Sequence, residues 1–160
     1  MQARFEKLTR KQVIGVRKRM SFAEDLTPAL WQAFMPGRKE IANALTSNLY
    51  SIEQYDSPQF LDNFNPRATY TKWAAVEVSD LSFIPNGMEA MTIPAGDYAV
   101  FVHRGPASLA RQTYQYIFET WLPSAEVNLD HRPHFAVMDE HYRADDPNAT
   151  EEIWIPVKAR

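Results

Sequence analysis

The stretch TEEIWIPVKAR at residues 150–160 sets a carboxylate, Glu152, inside a run that continues Ile153, Trp154, Ile155, Pro156, Val157. Side chains alternate across a strand, so Glu152 and Trp154 share one face, while Ile153, Ile155 and Val157 share the other. One face packs, and the other is the candidate for binding. A carboxylate walled by indole rings suits a flat organic cation: the rings supply quadrupole attraction and apolar area, and the charge supplies orientation. When the closing strands of two half-length copies are superposed, Trp73 falls opposite Glu152, Ala75 opposite Trp154 and Glu77 opposite Pro156. That register puts Trp73, Glu152 and Trp154 near the seam between the copies, where imperfectly meeting surfaces leave pockets. The competing reading of Glu152 is a surface carboxylate paired with Lys158 or with an arginine of a neighbouring strand. Trp31, Trp73, Trp121 and Trp154 also fit ordinary core positions, Trp121 best of the four.

Other chemistry is poorly supported. Asp130, His131 and His134, with Asp139, Glu140 and His141 downstream, could ligate a metal, but Pro133 separates the first two histidines and no metal-site spacing is met. No metal is expected. His103 ends a strand beside Arg104 and Gly105, where hydrogen bonding to the next loop is favoured over a general-base role. No GxSxG elbow, phosphate loop or GxGxxG occurs among only five glycines, and there is no cysteine, so no catalytic residue and no cofactor are assigned.

The elements that must position these residues read as two copies of a strand, helix, strand, strand unit, about 1–80 and 88–160, within one domain over 1–160. In the first copy QVIGVRKRMS is a strand, residues 26–44 are helical, and NLYSIEQYD and TYTKWAAVEVS are strands. In the second, GDYAVFVHRG is the strand, residues 108–122 the helix, and PHFAVMDEHY and EEIWIPVKA the closing pair. Thr27 can cap the first helix, Pro28 suits its first position and Leu26 can staple onto Trp31, whereas Pro36 and Gly37 break or kink it. Ala110, Tyr114, Ile117 and Trp121 form one apolar stripe on the second helix, which faces a sheet. DLSFIPNGMEAM joins the copies as a connector.

Composition bounds the rest. With 160 residues, 45% hydrophobic and 12% aromatic, the chain can bury a substantial core. No apolar run approaches the ~20 residues of a membrane span, and the N-terminus lacks a signal-peptide core, so a cytoplasmic protein is expected. A net charge of −3 argues against direct nucleic-acid binding. The cluster Arg10, Lys11, Arg17, Lys18, Arg19 reads better as a solvated strand edge, protected from strand addition, than as a polyanion contact. After the two units are assigned, no residues remain for a helix-turn-helix.

IPAGDYAVFVHRG before a helix, ETWLP at its end, PHFAVMDEHY, the closing EEIWIPVK and LWQAF in the first helix together resemble the GyrI-like small-molecule-binding domains, the effector-binding modules of AraC-type and MerR-type multidrug regulators. The resemblance implies an α+β fold of two β-α-β-β repeats with pseudo-twofold symmetry, antiparallel sheets with helices packed on them, and an aromatic cleft between repeats. It also implies a glutamate on the last strand that engages cationic, lipophilic ligands. Glu152 matches that position, and a one-residue slip would exchange it with Glu151. On this basis the chain is expected to be a stand-alone binding protein or sensor, with Glu152 as counter-charge and Trp31, Tyr70, Trp73, Phe101 and Trp154 as walls. The alternatives are a hydrolase of strained, cyclopropane-bearing compounds using Glu152 as base, and a gyrase-inhibitor-type interaction module. The resemblance admits a second copy of the chain or a separate regulator as protein partner.

Overall fold

A computed structural model describes residues 1–62 and 64–160. The strands are β1 (Arg4–Leu8), β2 (Lys11–Ser21), β3 (Leu49–Gln54), β4 (Thr69–Val78), β5 (Glu89–Ile93), β6 (Gly96–Arg104), β7 (Val127–Leu129), β8 (His134–Met138) and β9 (Thr150–Ala159). Two helices, α1 (Thr27–Phe34) and α2 (Ala110–Tyr116), follow β2 and β6. The chain is α+β. Its antiparallel strands form one continuous sheet in the order β1-β6-β9-β8-β3-β4-β2-β5, with β7 added on the end of β9.

That order reads the same from either end when β1, β2, β3 and β4 are exchanged with β5, β6, β8 and β9. In its registers Trp73 lies across from Ile52 of β3, and Glu152 across from Val137 of β8. The short strands β1 and β5 escaped the sequence reading. Each precedes one long strand in the chain but pairs with the other, β1 with β6 and β5 with β2. The stretch read as a connector therefore ends inside β5.

Local chemistry explains the helices. Leu26, not Thr27, holds the N-cap position of α1, and it has no capping side chain. Asp25 takes that role from outside, its Oδ1 accepting hydrogen bonds from the Thr27 amide at 3.0 Å and hydroxyl at 2.5 Å. Pro28 occupies the first turn, where a missing N–H costs nothing. Pro36 and Gly37 tighten the continuation into the 3-10 segment Met35–Glu40, so the helix stops short of Ala44. Beyond α2, Ile117–Trp121 widens into a π-helical turn and Leu122–Ser124 closes the segment.

Both helices pack on the same face of the sheet. Leu30 and Phe34 of α1 bury against Ile14, Ala74 and Val76 of β2 and β4, while Ile117 buries against Ala99, Phe101, Ile153 and Ile155 of β6 and β9. The helix-free face has its own core of Tyr50, Ile52, Trp73, Tyr98 and Phe135. The basic cluster is only partly at an edge: β5 covers Lys11 to Gly15, while Arg17 and Arg19 lie beyond it and pair with Glu89 at 2.9 Å and Asp56 at 2.7 Å. Among the described residues no helix is long and apolar enough to cross a membrane.

Candidate functional site

Because α1 covers β2 and β4, and α2 covers β6 and β9, the central pair β3·β8 forms a seam between the helices. At its floor Ser51 lies across from Ala136, two buried small residues. Alternation sends Glu53 of β3, His134 of β8 and Glu151 of β9 to this face, in phase with Leu49, Met138 and Ile153. Rings close the seam. Tyr55 stacks on Phe60 at 4.6 Å, Tyr70 lies 5.4 Å from Tyr55, and the His134 ring meets Tyr55 edge-on at 5.0 Å and Phe118 at 6.1 Å. At the outer end Phe22 stacks on Tyr70 at 5.0 Å. Depressions of about 380 Å³ and 510 Å³ lie elsewhere, beside Met35 and Ile41 and beside Phe83 and Ile84. A ligand in the seam would therefore replace ring–ring contacts.

Two carboxylates punctuate this apolar face. Glu151 is only 9% exposed, and burial pushes its carboxyl above the usual range, opposed by His103 across the β6·β9 ladder and reinforced by Glu53. Among the described residues no hydrogen bond or ion pair engages its side chain. Glu53 has one partner, the Tyr55 hydroxyl, which donates to its Oε2. Burial, then Glu53, hold the Tyr55 phenol well above its ordinary value, and Tyr114 of α2 is raised by burial and by the charges of both Glu53 and Glu151. Tyr142, on the loop after β8, is raised to about 12 by burial and then by the charge of Glu151. One small region thus holds two acids and at least four phenols.

The histidines take structural roles here. His103 is buried, with Nδ1 2.7 Å from Thr113 Oγ1 and Nε2 3.3 Å from the Pro106 carbonyl, the loop bonding expected of it. His134, which the sequence offered as a metal ligand, is buried among rings and its pKa falls to about 3, chiefly through desolvation. Asp130 instead accepts from Arg132 Nε at 2.8 Å. Among the described residues no three His, Asp or Glu side chains form a metal-holding group.

The six wall and counter-charge candidates separate onto two faces. Glu152, Trp73 and Trp154 lie on the helix-free face, with Trp73 three strands away from the other two. There Glu152 accepts from Arg4 Nη2 at 2.9 Å and from the Trp154 indole N–H at 3.2 Å. Trp154 stacks on Phe135 at 5.3 Å, and Trp73 donates to Gln54 Oε1 at 2.6 Å. The charge in the last strand is thus answered within the protein, by an arginine two strands away. Trp31, Tyr70 and Phe101 lie on the helix side. Of these, only Tyr70 borders the seam; Phe101 is core beneath Trp121 at 4.9 Å, and Trp31 packs edge-on to Phe34. The register puts Glu152 on the helix-free face and Glu151 on the helix side of the sheet. Its signal was present in the sequence, since Glu151 falls in phase with Ile153, Ile155 and Val157, a carboxylate on the packing face. Glu53, Tyr55, Tyr114 and Tyr142 gave no comparable signal, because a loop and a helix bring them together.

Comparison with known proteins agrees with this architecture. The curated regulator "Transcriptional regulator BrlR" of Pseudomonas aeruginosa is 27% identical over 159 residues, covering 98% of this chain and 56% of that protein, so the chain spans little more than half of its relative. The solved structure of SAV2435 bound to tetraphenylphosphonium superposes with a TM-score of 0.70 at 17% identity, covering 99% of this chain and 94% of the other. A hydrolase encoded by lin2189 from Listeria innocua superposes at 0.61 and 11% identity, covering 98% and 91%. The family description "GyrI-like small molecule binding domain" matches residues 1–158, and the chain belongs to that family.

Proposed function

We propose that the chain binds lipophilic organic cations in the helix-side seam, with Glu151 as the counter-charge and Tyr55, Tyr70, Tyr114, Tyr142 and Phe60 as walls. The observation that carries this reading is Glu151, a residue 9% exposed whose carboxyl is raised by burial and which has no hydrogen bond or ion pair among the described residues. An ionised group in such a place is costly, and a cation relieves the cost while gaining ring-face attraction. The cationic ligand of SAV2435 supports the same class of compound. Charge selectivity is the test. Tetraphenylphosphonium should bind far more tightly than uncharged triphenylphosphine oxide, as read by quenching of intrinsic fluorescence; equal binding of the two would contradict the proposal.

A hydrolytic reading has one observation in its favour: a carboxyl held above its usual range beside several phenols is suited to proton transfer. The hydrolase among the structural neighbours supports that class of reaction. On this reading Glu151, not Glu152, activates the water. Incubation with a cyclopropane-bearing alkylator followed by mass spectrometry separates the two: a hydrated product supports catalysis, and unchanged compound supports binding alone.

A further inference from the structure

Two acids of the seam lack a cationic hydrogen-bond or ion-pair partner among the described residues. The titratable groups that face it or border it include Asp25, Glu53, Lys72, His103, His134 and Glu151. Lys72 stands across from Glu53 in the β3·β4 ladder, and a simple pairing of the two would cancel the second acid. They do not pair. The Lys72 ammonium donates to Thr27 Oγ1 at 3.0 Å, at the start of α1, beside Asp25, whose carboxyl, raised by burial, is brought below its ordinary value by the Thr27 hydrogen bonds and last by the Lys72 charge. Its influence on Glu151 is the smallest of those acting there, weaker than the repulsion from Glu53. His103 stands across from Glu151 in the β6·β9 ladder and is the strongest influence drawing its carboxyl down, but its ring nitrogens are engaged by Thr113 and Pro106, and His134, pushed down to about 3, stays neutral. Among the described residues neither Glu53 nor Glu151 has a cationic hydrogen-bond or ion-pair partner.

We infer that the preferred ligands of the seam carry two cationic centres, one meeting Glu151 and the other meeting Glu53, with an apolar spacer lying against the rings between them. This rests on the cation-binding reading above and narrows it. Glu53 is on β3 and Glu151 on β9 with β8 between them, so two strand spacings, roughly 10 Å, separate their strands across the sheet. Both, after burial, raise the Tyr114 phenol, so each lies within electrostatic reach of the same ring. A phenol alone serves Glu53, and a hydrogen bond from a neutral donor leaves most of its charge for a ligand.

The probes are alkane-α,ω-bis(trimethylammonium) ions with four to ten spacer carbons, titrated beside alkyltrimethylammonium ions of equal carbon count. One member of the bis series should bind about tenfold or more tightly than its mono counterpart, the gain of one further charge-assisted contact. Glu53→Gln should lower affinity for that bis-cation about tenfold more than for the mono-cation, whereas Glu53→Asp, which keeps the charge, should retain most of the preference. A bis series no tighter than the mono series, or a preference that survives Glu53→Gln, overturns the inference while Glu151-dependent monocation binding leaves the broader reading standing. No binding of either series by the wild-type chain overturns both.

Discussion

At the scale of single residues, the two neighbouring glutamates of the last strand behave as different chemical species. Glu152 is a half-exposed acid paired with Arg4, and exposed pairs contribute roughly 0–1 kcal/mol, so Glu152→Gln should shift the denaturation midpoint very little. Glu151 is buried and unpaired. Its folded-state pKa lies above the unfolded value, so ionisation costs more in the folded chain, and wild type loses stability as pH rises through that interval. Glu151→Gln should therefore be more stable than wild type near pH 7, and the gain should vanish below pH 4. Urea denaturation at both pH values checks this, and a loss of stability at pH 7 would contradict it. His134 has the opposite sign. Its pKa of about 3 lies below the usual 6.5, so the neutral ring's contribution is intact above pH 6.5 and is lost progressively as pH falls toward 3. Replacing His134 with Gln should flatten the pH dependence of stability over that window, by up to about 1.4 kcal/mol per pH unit.

At the scale of elements, the sheet depends on one close approach. A Cβ at Gly15 of β2 would lie 2.0 Å from the Ala74 carbonyl oxygen and 2.7 Å from Ala75 Cβ, backbone and side chain of the adjoining β4 that cannot swing aside. Gly15→Ala should destabilise the chain by roughly 2–4 kcal/mol, the range for overpacking against a fixed backbone. Differential scanning calorimetry reads it directly, and an unchanged melting temperature would refute it. Much at this scale was legible in the chain itself. Alternation in EEIWIPV assigned Ile153, Ile155 and Val157 to the packing face, and the stripe Tyr114, Ile117, Trp121 pointed α2 at the sheet. The short edge strands β1 and β5 were not legible, since RFEKL and EAMTI are five residues each and owe their conformation to long-range pairing with the opposite half. Which face the helices cover was not legible for a related reason. Strand alternation separates two faces but does not say which one two distant helices will straddle, nor that Arg4 will reach Glu152.

At the scale of the whole molecule, the exchanged edge strands tie the halves together. Removal of one half would strip a strand from the other and expose one member of the central β3·β8 ladder, so the chain should unfold in one transition. The tryptophans 31, 73, 121 and 154 are divided between the halves, and their fluorescence should follow the same urea curve as far-ultraviolet circular dichroism; two separated transitions would contradict the interlock. The seam exists only because both helices lie on one face of a continuous sheet, leaving a central strip whose acids come from β3 and β9. The central claim is that this strip, not the helix-free face with Glu152, Trp73 and Trp154, receives the cation. The most direct measurement is a titration of tetraphenylphosphonium against wild type, Glu151→Gln and Glu152→Gln at pH 7.5. Glu151→Gln should weaken binding at least about tenfold, the scale of a lost charge-assisted contact, while Glu152→Gln should match wild type within about twofold. A loss confined to Glu152→Gln, or equal binding by all three, would contradict it.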